Sequence, residues 1–134
     1  HRSHIHNCYN GIGAWFYRGL AGIRPDPDAP GYAHFVLKPA VVGDVSWVSA
    51  RQDTVRGVIE SVWRVENGRF VWDVRIPANT SATVMVPTST PGAVTESDTP
   101  AAEAKGVKLV QGKNGRDVFE VGAGRYRFSA PLRK

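Results

Sequence analysis

The stretch Val58-Ile-Glu-Ser-Val-Trp-Arg-Val65, followed by Glu66-Asn67-Gly68 and then Arg69-Phe-Val-Trp-Asp-Val-Arg-Ile76, decides the fold. Ile59, Ser61, Trp63 and Val65 recur at every second position before the Asn-Gly pair. Phe70, Trp72, Val74 and Ile76 do so after it, with Arg69, Asp73 and Arg75 mostly in the opposite phase. Successive side chains of a strand point to opposite faces, so this alternation reads as two half-buried strands. Asn67 and Gly68 both tolerate positive φ, which a two-residue hairpin turn needs.

The same period extends outward in both directions. His34–Lys38 reads as a short strand, and Val45–Asp53 as another with Val45 and Trp47 on one face. Ser81–Val86 places Ala82, Val84 and Val86 together. Val107–Gln111 and Arg116–Val121 flank a second hairpin signal, Asn114-Gly115. Gly122-Ala123-Gly124 turns the chain into Arg125–Ala130, with Tyr126 and Phe128 inward. Pro77-Ala78-Asn79-Thr80 reads as a turn; Asn79-Thr80-Ser81 also fits a glycosylation sequon, a weak signal beside the turn. Residues 87–106 read as a long surface loop with a short edge pairing at Val94. About eight short strands punctuated by Gly, Asn and Pro predict a mainly β fold, an antiparallel β-sandwich of jelly-roll type.

Upstream the period changes to 3.6. Ile12, Trp15, Phe16, Gly19, Leu20 and Ile23 line one face of a helix over 9–22, with Asn10 as N-cap and Gly22 as its stop. Gly11, Gly13 and Gly19 weaken it by about 1 kcal/mol each against alanine, so it needs a closely packed neighbour. Arg24-Pro-Asp-Pro-Asp-Ala-Pro-Gly31 is excluded from helix and central strand by three prolines that fix φ and lack a donor. The division that follows is 1–23, a linker over 24–32, and a β domain over 33–134.

A chain of 134 residues fits one domain and buries roughly two-thirds of its unfolded surface without staples. Apolar residues make up 42% and charged residues 22%, as in ordinary soluble domains. The net charge of +5 is spread over separate arginines, without the concentrated stripe that nucleic acid would demand. No apolar run reaches the ~18 residues of a membrane span. The chain opens on His1 and its one methionine is Met85, so a piece of a longer protein is expected.

Candidate chemistry is sparse. Cys8 is the single cysteine, which rules out an internal disulfide and reads as a small buried hydrophobe. His4 and His6 share a face of an extended segment, yet a metal site needs further ligands, so neither metal nor cofactor is expected. Glu60 and Asp73 fall on alternating polar faces, and Asp44, Glu66, Asp98 and Glu103 fall in turns. None of them makes the carboxyl pair that glycoside hydrolysis requires. Trp63 and Trp72 sit in phase with apolar neighbours and read as core, whereas Trp47 is the tryptophan best placed for exposure. Exposed aromatics stack on sugars, so a carbohydrate-binding module is the rival reading.

The segment Gly19-Leu-Ala-Gly-Ile-Arg-Pro-Asp-Pro-Asp-Ala-Pro-Gly-Tyr-Ala-His-Phe-Val-Leu-Lys-Pro39 resembles the junction of bacterial α-L-rhamnosidases of glycoside hydrolase family 78. Pro77-Ala-Asn-Thr-Ser-Ala-Thr-Val84 and Val121-Gly-Ala-Gly-Arg-Tyr-Arg-Phe128 resemble that family's C-terminal domain. The similarity covers nearly the whole chain in one order. It implies an (α/α)6 catalytic barrel that removes terminal α-L-rhamnose with inversion, whose last helix is residues 9–22. The acid and base carboxylates are then expected upstream, leaving this chain inactive alone, without catalytic residues of its own, and packed against the parent barrel. The family's S-x-x-H phrase matches Ser3-His4-Ile5-His6, which implies that His6 binds the sugar. His4 and Ile5 stand where Leu-Asn is commoner. A neutral imidazole can both donate to and accept from sugar hydroxyls.

Overall fold

The computed structural model describes residues 16–42, 45–113 and 115–132. Among the described residues nine strands form one open, mixed sheet. In chain order they are β1 (Ile23–Pro25), β2 (His34–Leu37), β3 (Trp47–Thr54), β4 (Gly57–Glu66), β5 (Arg69–Pro87), β6 (Thr95–Glu96), β7 (Thr99–Pro100), β8 (Val107–Lys113) and β9 (Arg116–Pro131). Of the helix expected over 9–22, residues 9–15 lie outside the described residues. Phe16–Leu20 makes one wide helical turn before β1.

The β4–β5 hairpin closes at Asn67 (φ 52) and Gly68 (φ 76), both left-handed as a two-residue turn demands. Its ladder pairs Trp63 with Trp72 and Val65 with Phe70. β3 pairs with β4 from Trp47↔Arg64 to Thr54↔Gly57. Because Val48 lies opposite Trp63, Val48 and Ala50 face inward and Trp47 faces outward.

Two expected turns are instead bends within long strands. β5 runs through Pro77–Thr80 with a register shift between Ile76 and Ser81 against β9. Pro77 has no ladder donor, Asn79 takes φ 63, and Thr80 Oγ1 donates to Pro77 O at 2.6 Å. β9 bends with it near Gly122–Gly124, where Gly124 has φ 144. The chain therefore bends without reversing, and the β5–β9 pair runs through two halves of the sheet. Residues 69–76 and 124–131 carry β4 and β3 on one side and β6 and β7 on the other. Residues 81–87 and 116–122 carry β2, β1 and β8.

One ladder departs from the antiparallel expectation. β2 pairs parallel with β5, His34↔Ser81 through Leu37↔Val84. A parallel neighbour needs a crossover, which the intervening β3–β4 hairpin supplies.

The inner faces of both halves share one core: Phe35, Leu37, Val84, Val86 and Phe119 with Ile59, Trp63, Phe70, Trp72 and Phe128. Phe119 and Phe128 stack at 5.9 Å across the bend, and Trp72 meets Phe70 edge-on at 5.7 Å. The segment expected as a surface loop contributes to this core. Val94 and Ala101 are buried in it, joined by Ala101 N–H to Val94 O at 3.0 Å.

Candidate functional site

The best-built polar site lies where the chain enters the sheet. Alternation puts Ser61 of β4 on the inner face between Ile59 and Trp63, all fully buried. Ser61 Oγ accepts from Trp72 Nε1 at 2.9 Å and donates to Ala21 O at 2.7 Å. Trp63 Nε1 donates to Leu20 O at 2.7 Å. One indole and one hydroxyl thus satisfy two consecutive carbonyls of the incoming backbone, and the second indole donates to that hydroxyl. On its other side Lys38 N–H donates to Gly22 O at 2.8 Å and Ala40 N–H to Gly19 O at 2.9 Å.

Gly22 is needed at this crossing. Its φ is +80, and a Cβ there would stand 2.3 Å from Pro39 N and 2.4 Å from the Lys38 carbonyl carbon. Reading Gly22 as a helix stop captured the positive φ. The close approach of Lys38–Pro39 left no local signal, because those residues come from the next strand. The linker is held as well: Gln52 Nε2 donates to Tyr32 Oη at 2.8 Å and Arg56 Nε to Gly31 O at 3.1 Å. This seam fixes the direction of the incoming chain; it holds no acid–base pair.

A second polar group sits on the outer face of the half that contains β2. His34 Nδ1 is 2.7 Å from Ser81 Oγ, and Nε2 is 2.9 Å from Thr83 Oγ1. Thr83 donates its proton to Glu120 Oε2 at 2.7 Å. In the neutral ring Nε2–H therefore donates to Thr83, and Nδ1 accepts from Ser81. The parallel β2–β5 joint and the neighbouring β9 are thus braced by side chains beside the ladder. Sequence reading passed over His34 because its partners Ser81, Thr83 and Glu120 lie 47, 49 and 86 positions away.

His4, His6 and Cys8 lie outside the described residues. Trp63 and Trp72 are buried as read, and Trp47 is 47% exposed. With one exposed indole, there is no row of coplanar aromatics among the described residues on which a sugar chain would stack. Groups of three or more metal-ligating side chains are also absent among the described residues.

The family model for the bacterial α-L-rhamnosidase C-terminal domain matches residues 22–100. The chain belongs to this family. An α-L-rhamnosidase of Streptomyces avermitilis is 32% identical over 92% of the chain, which spans 11% of that enzyme. An α-L-rhamnosidase of Formosa agariphila is 26% identical over 93% of the chain, which spans 13% of it. The crystal structure of the Streptomyces avermitilis enzyme with L-rhamnose superposes with a TM-score of 0.79 at 31% identity, over 90% of this chain and 11% of that one. The α-L-rhamnosidase from Dictyoglumus thermophilum gives 0.76 at 32% identity, over 90% of this chain and 13% of that one. The family match begins at Gly22, the residue on which the seam crosses Pro39.

Proposed function

We propose that this chain is the C-terminal part of an inverting α-L-rhamnosidase that releases terminal α-L-rhamnose from glycosides, and that the β domain is its structural module. Inversion requires an acid and a base about 6.5–9.5 Å apart across the sugar. In this reading both carboxylates belong to the preceding (α/α)6 barrel, residues 1–23 are the end of that barrel, residues 24–32 are the link, and His6 contributes to the sugar pocket. The substrate is a rhamnose-containing glycoside, and the partner of the β domain is the parent barrel.

The observation that carries the structural role is the capture of Leu20 O and Ala21 O by Trp63 and Ser61. A module that merely tethers a binding face has no need to bury polar side chains against its incoming backbone. Here the incoming segment is part of the core, with Ala21 and Ile23 buried. A fixed joint of this kind holds the end of a catalytic domain in place.

The test is hydrolysis of nitrophenyl α-L-rhamnoside by the intact parent and by the 134-residue chain. The parent is expected to release nitrophenol and the chain alone is not. Release above background by the pure chain would overturn the assignment of the carboxylates to the barrel.

A further inference from the structure

The outer face of the β4–β5–β9 half carries a charged groove that the seam does not use. Two neighbouring rows of the sheet cross it. In one row Val62, Asp73 and Arg127 lie side by side; in the next, Glu60, Arg75 and Arg125 do. The first row is closed. Arg127 Nε donates to Asp73 Oδ1 at 2.8 Å and Nη2 to Oδ2 at 3.4 Å, and the Arg127 backbone N–H donates to Glu96 at 3.1 Å.

The second row is open. Arg75 and Arg125 face each other directly across the antiparallel ladder, an arrangement of like charges that costs stability. Glu60 is the one carboxylate they share, 3.8 Å from an Nη1 of each. That distance is an ion pair without a hydrogen bond. Among the described residues neither guanidinium makes a hydrogen bond, so two planar donor forks look onto the groove. On one side of them a second shallow depression lies over Ile76, Pro77 and Gly124 at the bend of the sheet, while Ser97 stands at the far side of the first. The guanidinium pair therefore stands where two shallow, open depressions meet.

We propose that this groove binds carboxylated oligosaccharide chains, with a uronate carboxylate bridging Arg75 and Arg125. The inference rests on the glycosidase reading for the saccharide and on the groove for the carboxylate. A guanidinium fork matches a carboxylate bidentately and far better than it matches a neutral hydroxyl. The open shape admits an extended chain. Nucleic acid is disfavoured, since the two rows together add only one net positive charge and offer no base-stacking platform.

Titration calorimetry of the 134-residue chain with a tetragalacturonate, at low salt, tests this. Binding is expected, with at least a fivefold loss for Arg125→Gln and for Arg75→Gln, a gain of at least twofold for Glu60→Gln, and weakening as salt rises. The methyl-esterified tetramer should fail to bind. Arg125 is largely exposed, so Arg125→Gln remains folded and its loss reads the contact directly. No binding of the tetragalacturonate, equal binding of its methyl ester, or an unchanged affinity in Arg125→Gln would overturn the proposal. Equal binding of a tetraglutamate would overturn the saccharide assignment. These outcomes are independent of rhamnoside hydrolysis by the parent, so either reading can fail without the other.

Discussion

Ser61 accepts the indole proton of Trp72 at 2.9 Å, with both side chains fully buried. Because Ser61 passes its own proton to Ala21 O, one hydroxyl joins the β4–β5 hairpin to the incoming chain. Removing it orphans a buried donor and a buried acceptor at once. Each orphaned group costs about 1–3 kcal/mol. Ser61→Ala is therefore expected to lose roughly 2–6 kcal/mol in urea unfolding. A loss below about 0.5 kcal/mol would mean that the network contributes little.

Gly22 and Gly68 share a left-handed φ but differ in surroundings. A Cβ at Gly22 collides with Pro39 backbone, whereas one at Gly68 meets nothing within 4 Å. Gly68→Ala should cost only the conformational penalty of about 1–2 kcal/mol. Gly22→Ala should cost clearly more, because backbone on both sides must move. Thermal unfolding of the two variants compares them, and equal losses would sink the close-approach argument.

Tyr126 sets an alkaline limit. Burial, helped by the nearby Glu96 charge, raises its phenol above the ordinary 10.0. The folded state then holds the proton after the unfolded state has lost it. This contribution is complete below pH 10.0 and falls as pH rises from there through the higher folded value. Tyr126→Phe loses the bonds to Gly122 O and Ala123 O and starts less stable. Its stability should nevertheless fall less steeply above that pH. Parallel slopes in denaturant titrations would refute the linkage.

His6 carries the sugar-contact proposal. In the intact parent, His6→Ala is expected to lower kcat/KM about 2–13-fold, matching a lost neutral hydrogen bond of about 0.5–1.5 kcal/mol. The β domain should stay folded, since His6 precedes every strand. His4→Ala should do much less. A larger effect from His4→Ala would move the role to that residue.

The strand periods were legible because alternation and hairpin chemistry are local. Asn67-Gly68 could be placed from two residues, and Trp63, Trp72, Phe70 and Phe128 from their phase with their neighbours. Trp47 was harder. Its strand carries weak alternation, and the opposing strand decided which face went inward, by setting Val48 against Trp63.

By itself, then, the sequence determined a mainly β chain, its Asn67-Gly68 hairpin, most of its inward faces and its likeness to rhamnosidases. Tertiary structure alone decided that Pro77–Thr80 and Gly122–Gly124 bend long strands without ending them, because a bulge and a turn share the same local residues and differ in what the partner strand does. It also decided the parallel joint of β2, the His34 brace and the meeting of Ser61 with Ala21, forty positions apart. Those contacts depend on which segments the shared core draws together, and no local period encodes a separation of that length.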